Sequence, residues 1–173
     1  MLKITSRSLL AIAIMAFASS HAFAATQTAN LGVTASVSAS CTISAGTVAF
    51  GAYEPVVTNA SSGADKTGTG TVTVDCTNGS ATTVTLGQGA HPDTGSTDAA
   101  PLRRMNDGAS NFISYSLYQD AAFVTPWGNT PATGEPYTGT GASSDLTVYG
   151  VALKGQNVPV GGYSDTVVAT VTF

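Results

Sequence analysis

Small or β-branched apolar residues alternate with polar residues along most of this sequence, with a period of two. This spacing places successive side chains on opposite faces of an extended chain, so it predicts β-strands rather than helices. The segments that carry the pattern, and are therefore the predicted strands, are residues 31–41, 47–53, 69–76, 82–86, 112–119, 146–153 and 165–173. Gly, Asn, Asp, Ser and Pro cluster between them, as turns require. The pattern predicts an all-β protein.

Two connections between the predicted strands are long, at residues 88–111 and 125–144, and both are rich in Gly, Pro, Thr and Asp. Loops of that length are usually either functional or mobile. The number and spacing of the strands fit a β-sandwich better than a propeller, since the sequence shows no internal repeat. We therefore expect one sandwich with two long loops.

The segment that leads to the first cysteine alternates strictly. Its even positions between 26 and 40 are polar apart from Gly32, and its odd positions are apolar apart from Gln27. The apolar positions are Ala25, Ala29, Leu31, Val33, Ala35, Val37, Ala39 and Cys41. A segment of this kind can form a strand with one face in a hydrophobic core.

The last predicted strand alternates in the same way, with Val167, Ala169, Val171 and Phe173 on one face. No further strand follows it in the sequence, so we expect one of its edges to lack a hairpin partner. The unpaired backbone groups of such an edge invite pairing with another strand.

The first residues have the features of a secretion signal. Lys3 and Arg7 precede an uncharged apolar run, and Ala22 and Ala24 supply the small residues that a signal peptidase recognises. We expect residues 1–24 to be removed on export. No later stretch approaches the roughly 20 apolar residues of a membrane helix. The mature protein is therefore expected to be a single soluble domain with its own hydrophobic core.

Charge excludes two classes of partner. The chain has 6 Lys and Arg residues against 10 Asp and Glu residues, and its formal net charge is −4. Two of the six basic residues lie in the predicted signal. A surface this poor in positive charge lacks the basic patch that nucleic acids and anionic lipids require. We expect neither as a partner.

Cys41 and Cys76 are the two cysteines of the chain. In an exported protein an isolated pair is more often bridged than free, because the compartment is oxidising. We therefore predict a disulfide between them, which would stabilise the fold by roughly 3 to 4 kcal/mol through the unfolded state. The alternative is a pair of buried free thiols.

Two features suggest catalytic or metal chemistry. The run Asp93-Thr94-Gly95-Ser96 spells the catalytic turn of aspartic proteases, but it lies in a polar loop and occurs once, whereas that chemistry needs two carboxylates. His91 is the one histidine beyond the predicted signal, so a metal cluster or a Ser-His-Asp triad would depend on it alone. We therefore predict a turn at Asp93, no metal site, no cofactor and no enzymatic activity.

Four aromatic residues allow a different interpretation: Trp127, Tyr137, Tyr149 and Tyr163. Exposed together they would form a platform on which sugars stack, whereas such residues more often fill the core of a sandwich or pack its loops. The second functional hypothesis is therefore a monomeric secreted binding module. It would recognise carbohydrate or a host surface through the two long loops.

Several short motifs follow one another through the chain. They are the alternating segment before Cys41, Phe50-Gly51 with Tyr53, the strand that ends in Cys76, residues 105–108, Tyr115 with Leu117-Tyr118 and Asp120, Trp127-Gly128, Tyr149-Gly150, and Pro159-Val160-Gly161-Gly162-Tyr163 with Asp165. No single motif is specific, but their order and spacing together resemble the spore coat protein U family. Its members are the pilin subunits of archaic chaperone-usher pili.

The resemblance implies an incomplete immunoglobulin-like sandwich that is completed by a donor strand from a neighbouring subunit. It implies a donor segment at residues 25–40 and a pilin domain at residues 41–173. The implied donor side chains are Ala29, Leu31, Val33, Ala35 and Val37. They would insert beside an acceptor strand that also binds the chaperone, and its implied residues are Val167, Ala169, Val171 and Phe173.

The function that the resemblance implies is that of a structural subunit of a secreted pilus, which would support adhesion or biofilm formation. The implied partners are further copies of the chain or sister pilins in a head-to-tail polymer, a periplasmic chaperone and an outer-membrane usher. The protein would pass through the periplasm to the cell surface. The monomeric binding module and a spore coat component are the alternatives.

Overall fold

A computed structural model describes residues 24–173 of the chain. The predicted secretion signal lies outside these residues apart from Ala24, and it stays a prediction. The chain divides into two units, Met1–Ser36 and Val37–Phe173. In the first unit, the described residues 24–36 form no regular secondary structure, and all of them are exposed. None of the described residues belongs to a helix that is long and apolar enough to cross a membrane.

The second unit is built from β-strands, and no helix occurs within residues 24–173. The strands are β1 (Cys41–Ala45), β2 (Lys66–Cys76), β3 (Ala81–Leu86), β4 (Arg103–Asn106), β5 (Phe112–Tyr118), β6 (Glu135–Thr138), β7 (Ser143–Ala152) and β8 (Ala169–Thr172). The prediction of an all-β protein is confirmed.

The strands form two sheets. The larger sheet has the order β1-β2-β7-β5-β4, and the smaller has the order β6-β3-β8. Every neighbouring pair is antiparallel. The longest pairing joins β2 to β7, from Lys66 opposite Ala152 to Asp75 opposite Ser143. The core between the sheets comprises Val72, Val74, Val84, Leu86, Ile113, Tyr115, Leu117, Trp127, Val148 and Ala152.

The period-two pattern explains how these strands supply the core. In β5, Ile113, Tyr115 and Leu117 are buried while the residues between them are partly exposed. Val72 and Val74 of β2 are buried in the same alternating fashion. Successive side chains of a strand point to opposite faces, so one face of each sheet is buried against the other sheet. The predicted strands at these positions are confirmed.

Two of the predicted strands are absent from the described residues. Residues 31–40 have no strand, because within residues 24–173 no strand pairs with them and only Ser40 forms a backbone–backbone hydrogen bond, to a residue beside β2. Residues 47–53 have none either, because they cross one face of β2 instead of pairing along its edge. A Cβ atom added at Gly70 would touch Val48, and one added at Gly68 would touch the backbone of Ala49. The two glycines therefore make room for the crossing segment.

The long connections contain structure that the sequence pattern did not predict. Strand β4 lies within residues 88–111, and β6 lies within residues 125–144. The last strand is shorter than predicted, since β8 spans Ala169–Thr172 and residues 165–168 precede it without a strand. Short strands in segments rich in Gly and Pro form because a neighbouring strand pairs with them, and periodicity does not report this.

Candidate functional site

Strand β8 is paired along one edge. It pairs with β3, and among residues 24–173 no strand pairs with its other edge. The amide of Gly87 donates to the carbonyl of Val168 at 2.8 Å, so Val168 and every second residue after it direct their backbone groups to β3. Because antiparallel pairs bond through every second residue, Val167, Ala169 and Val171 direct their backbone N–H and C=O groups to the unpaired edge.

A groove runs along the segment that leads to β8 and continues in line with this edge. It consists of two adjoining cavities of about 640 and 410 Å³ that share part of their lining. One wall is the segment 45–55, which includes the end of β1, and the other is the segment 158–167, which leads to β8. The floor comes from the larger sheet and comprises Met105, Ile113, Tyr115, Leu117 and Ala152.

The walls of the groove are apolar but only half covered. Partly buried hydrophobic residues pack against the core along this line, and they are Val48, Phe50, Tyr53, Met105, Val158, Tyr163 and Val167. Apolar surface left in water costs free energy of about 25 cal/mol per Å² relative to burial. The core is therefore open to solvent beside the same edge whose backbone groups lack partners.

The structure places the predicted acceptor residues as follows. Val167 lines the groove, and Ala169 and Val171 are half-buried in β8 with their backbone on the unpaired edge. Phe173 lies one residue beyond β8 and is exposed. Three of the four side chains thus lie at the groove or the open edge, while their role as an acceptor stays a prediction.

The predicted donor residues lie in a segment without secondary structure. Leu31, Val33 and Val37 are 88%, 85% and 86% exposed, and Ala29 and Ala35 are exposed as well. Exposed Leu and Val residues at alternate positions are unfavourable in water unless a partner covers them. Their role as a donor strand also stays a prediction.

The residues between this segment and β1 are held by Thr77. The carbonyl of Ser40 accepts from the amide of Thr77 at 2.9 Å, which continues the β1–β2 ladder past Cys41. The Thr77 hydroxyl accepts from the amide of Ser40 at 3.1 Å. Sequence reasoning missed Thr77, because a threonine beside a cysteine carries no signal of such a contact.

A disulfide joins Cys41 to Cys76, as predicted, directly beside these contacts. It links the first residue of β1 to the last residue of β2, where the two strands are already in register. Strand β1 leads into one wall of the groove, so the disulfide and the ladder together position that wall.

A buried polar cluster supports the other wall. The carboxylate of Asp165 accepts hydrogen bonds from the hydroxyl of Tyr115 at 2.6 Å and from the amide of Ala90 at 2.8 Å. Burial, together with the bond to Asp165, raises the pKa of the Tyr115 hydroxyl. Asp165 lies at the beginning of the segment that leads to β8, so these bonds fix that segment against the larger sheet.

Arg103 is the other buried charge near the groove. Its guanidinium donates to the carbonyls of Leu86, Gly87 and Trp127 at 2.7, 2.8 and 2.9 Å. Burial lowers its pKa to about 10, and the neighbouring Tyr115 and Asp165 act in the opposite direction. The guanidinium therefore stays charged at neutral pH. It joins β3 to the loop that carries Trp127, which is a structural role that the sequence did not reveal.

The residues that suggested chemistry have other roles. Asp93 begins a turn in which its carbonyl accepts from the amide of Ser96 at 3.0 Å, and Gly95 has a φ of 85°. Trp127 is 1% exposed, and its indole N–H donates to the carbonyl of Val84 at 2.8 Å. It is therefore not a sugar-stacking surface. The described residues contain no group of three or more His, Cys, Asp and Glu side chains arranged to hold a metal ion.

Comparison with known proteins adds a fold and a family to this geometry. One chain of a crystal structure, the CsuC–CsuE chaperone–tip adhesion subunit pre-assembly complex from archaic chaperone-usher Csu pili of Acinetobacter baumannii, is similar to this chain with a TM-score of 0.52. The sequence identity is 20%, and the match covers 79% of this chain and 40% of that one. At this identity the likeness shows a shared fold.

The sequence has a nearer relative. Protein U of Myxococcus xanthus is 49% identical over 168 residues, which covers 94% of this chain and 93% of that protein. The Spore Coat Protein U domain matches residues 27–170, which is nearly all of the described structure. The resemblance inferred from the short motifs is therefore confirmed, and the chain belongs to the Spore Coat Protein U domain family.

Proposed function

We propose that this protein is a structural subunit of a surface fibre that polymerises by donor-strand exchange. The observation that carries the proposal is the apolar groove beside the unpaired edge of β8. Residues 25–40 are the donor segment, and residues 41–173 are the domain that receives a donor from the next subunit.

Strand addition matches the chemistry of both partners. The edge of β8 offers backbone N–H and C=O groups, which give affinity to any extended segment, while the groove selects side chains at alternate positions. Ala29, Leu31, Val33, Ala35 and Val37 are apolar at alternate positions and are exposed. Their insertion would bury them together with the half-covered walls of the groove, so both surfaces would lose their contact with water.

The donor and the acceptor lie on one chain, so the contact is between different surfaces of two copies. When the rotation that relates neighbouring copies does not close a ring, a contact of this kind propagates as a filament. We propose that a periplasmic chaperone occupies the groove before assembly and that an outer-membrane usher exchanges it for the next subunit. The fibre would then lie at the cell surface and support adhesion or biofilm formation.

The test compares two substitutions on neighbouring residues of the donor segment. Val33→Asp places a carboxylate on the apolar face that would enter the groove, whereas Thr34→Asp places the same charge on the opposite, polar face. Each variant and the full chain are expressed with the chaperone and usher, and samples are run unheated and heated on a denaturing gel. We expect heat-sensitive multimers from the full chain and from Thr34→Asp, and monomer alone from Val33→Asp.

The gel also separates this proposal from its rival. If the unaltered chain gives a single monomer band, or if Val33→Asp polymerises as well as Thr34→Asp, donor-strand exchange through this segment is wrong. A monomeric binding module would then be the better hypothesis. Loss of multimers in both aspartate variants would point to a general effect of charge instead of the insertion of one face.

A further inference from the structure

We infer that the surface formed by residues 56–65 and 153–157, which lie outside the lining of the groove, is a second contact between subunits. In the fibre, this surface would contact the neighbouring subunit at the end of its domain where the disulfide lies. We call it the loop-end surface, and we call the end that carries Cys41, Cys76 and Ser143 the disulfide end. The inference rests on the proposed function, because it requires a neighbouring copy whose donor segment fills the groove.

The two ends follow from the register of the strands. Lys66 of β2 pairs with Ala152 of β7 at the loop end, and Asp75 pairs with Ser143 at the disulfide end. Strand β8 runs towards the disulfide end, since Thr172 pairs with Thr83 near the beginning of β3. The groove therefore extends from the loop end towards the disulfide end, and its lining ends at Ala45 and Val167, from where the unpaired edge of β8 continues.

Only one donor direction allows a fibre to grow. A donor parallel to β8 would leave the groove at the disulfide end, where the acceptor's own donor segment also begins, so the two segments would compete for the same space. An antiparallel donor leaves the groove at the loop end, and this direction matches every strand pair in the structure. It brings the disulfide end of one copy to the loop-end surface of the next.

The linker is too short to hold the two domains apart. Three residues, Ser38, Ala39 and Ser40, separate the last donor residue, Val37, from Cys41. An extended chain spans at most about 3.6 Å per residue, so this connection reaches about 14 Å at most. The bonds of Thr77 to Ser40 shorten the free part further. Strand exchange therefore forces the loop-end surface against the neighbour.

The loop-end surface is held rigid by hydrogen bonds. The hydroxyl of Tyr53 donates to the carbonyl of Leu153 at 2.7 Å, and the amide of Gly155 donates to the carbonyl of Asn59 at 2.7 Å. The side chain of Asn59, which is buried, donates to the carbonyl of Ala64 at 2.8 Å. These bonds join the two segments of the surface, so it keeps one shape before a partner arrives.

The same network presents valines to solvent. The carboxylate of Glu54 accepts from the amides of Val56, Val57 and Thr58 at 2.8, 2.7 and 2.8 Å, which fixes the turn that they form. Val56 and Val57 are 78% and 74% exposed. An apolar group exposed on a rigid surface is typical of an interaction site. A neighbouring copy would cover these valines.

Charge is compatible with this partner. Lys66, Lys154, Glu54 and Asp65 lie at the loop end, so their formal charges cancel. At the disulfide end, Asp75 and Asp145 are exposed, and no Lys or Arg of the described residues lies there. The two disulfide ends would repel each other, whereas a disulfide end and a loop end would not.

Photo-crosslinking in assembled fibres tests the inference. A benzophenone amino acid replaces Val57 in one variant and Val124 in another, because both valines are 74% exposed and only Val57 lies on the loop-end surface. We expect severalfold more intermolecular adduct from position 57, and mass spectrometry should map it to residues 38–40, 77–80 or 139–142 of another copy. Position 56, which is 78% exposed and lies outside the groove lining, serves as a second probe on the same surface.

The outcomes separate this inference from the proposed function. If multimers form and depend on the apolar donor face, but positions 56 and 57 give no more adduct than position 124, the second contact is wrong and strand exchange stands. Adducts that map to the chaperone alone, or to another region of the neighbouring copy, also overturn it. If no multimers form, the proposed function fails first, and the second contact fails with it.

Discussion

The two sides of the sandwich core differ in how completely they are closed. On the closed side, Val74, Val84 and Trp127 are at most 1% exposed. On the open side, Val48 and Val167 pack against the same core cluster but remain partly exposed along the groove. Both sides are apolar, so composition does not explain the difference. Val74 and Val84 lie in β2 and β3, which are each paired along both edges, whereas Val48 and Val167 lie in segments that form no strand.

This difference separates the residues that stabilise the free monomer from those that become buried during assembly. The closed side supplies most of the buried apolar area and hence most of the free energy of folding of the isolated domain. On the open side, apolar area remains exposed to water, and that area becomes buried when a strand is added. Substitutions on the closed side should therefore act on the free monomer, and those on the open side should act after the groove is filled.

The largest effect is expected at Trp127 on the closed side. Trp127→Ala should lower the free energy of unfolding of the purified monomer by about 4 kcal/mol, because it leaves a cavity and removes the indole hydrogen bond to the carbonyl of Val84. Trp127→Phe keeps an aromatic ring and should cost less. Urea denaturation measures both. A cost below about 1 kcal/mol for Trp127→Ala would contradict the description of a closed side.

The disulfide ranks next, since it holds β1 on β2 beside the open side. Replacing Cys41 and Cys76 together by Ala should lower the free energy of unfolding by about 3 kcal/mol, through the unfolded state. Denaturation of the variant is compared with that of the unaltered chain under reducing and oxidising conditions. The reduced chain should match the double variant. Equal stability of the reduced and oxidised chains would show that the bond contributes nothing.

A matched pair of valines tests the comparison directly. Val84→Ala should cost the free monomer about 2 kcal/mol, because a buried side chain loses two carbon atoms and leaves a cavity. Val167→Ala should cost less than about 1 kcal/mol, since Val167 is already partly exposed. With a peptide of residues 27–37 bound in the groove, we expect the two costs to become similar. Equal costs in the free monomer would remove the distinction between the sides.

The smallest effect concerns acid stability at Glu54. Hydrogen bonds from the amides of Thr58, Val56 and Val57 hold the pKa of this carboxyl below its ordinary value of 4.5. A carboxyl with a lowered pKa in the folded state stabilises the fold above the ordinary value, and the contribution is lost as the pH falls. The melting temperature should therefore decrease as the pH falls below 4.5, and less steeply in Glu54→Gln.

Other carboxyls limit the size of that difference. Hydrogen bonds also lower the pKa of Asp98, Asp107 and Asp120, so the variant removes one part of the acid dependence. The control is Asp75→Asn, an exposed carboxylate at the opposite end of the domain. An identical pH dependence in Glu54→Gln and the unaltered chain would show that the turn at Val56 and Val57 does not depend on this carboxylate.

Much of the fold was predictable because its signals are local. Alternation along residues 112–119 predicted β5, and the export signal together with two cysteines predicted the disulfide. Asp93 and Gly95 predicted a turn through their own backbone preferences. Two of these inferences use residues that are close together in sequence. The disulfide inference uses the fact that each cysteine has one other cysteine in the chain to pair with.

Features that depend on distant partners were missed. Strand β4 begins at Arg103, a residue type that is mostly exposed in proteins, yet three distant carbonyls accept its hydrogen bonds and allow its burial. Residues 47–53 alternate like a strand, but two glycines of β2 let them cross its face instead. The sequence pattern around a residue does not show which distant backbone groups it contacts.

The sequence by itself determined the all-β class, the family and the alternating apolar segments at both ends of the region that follows the predicted signal. Only the tertiary structure decided that β8 has one unpaired edge and that a half-covered apolar groove lies beside it. The reason is physical: alternation depends on the order of residues along one strand. An open edge depends on which strands pair, and pairing is a property of segments far apart in sequence.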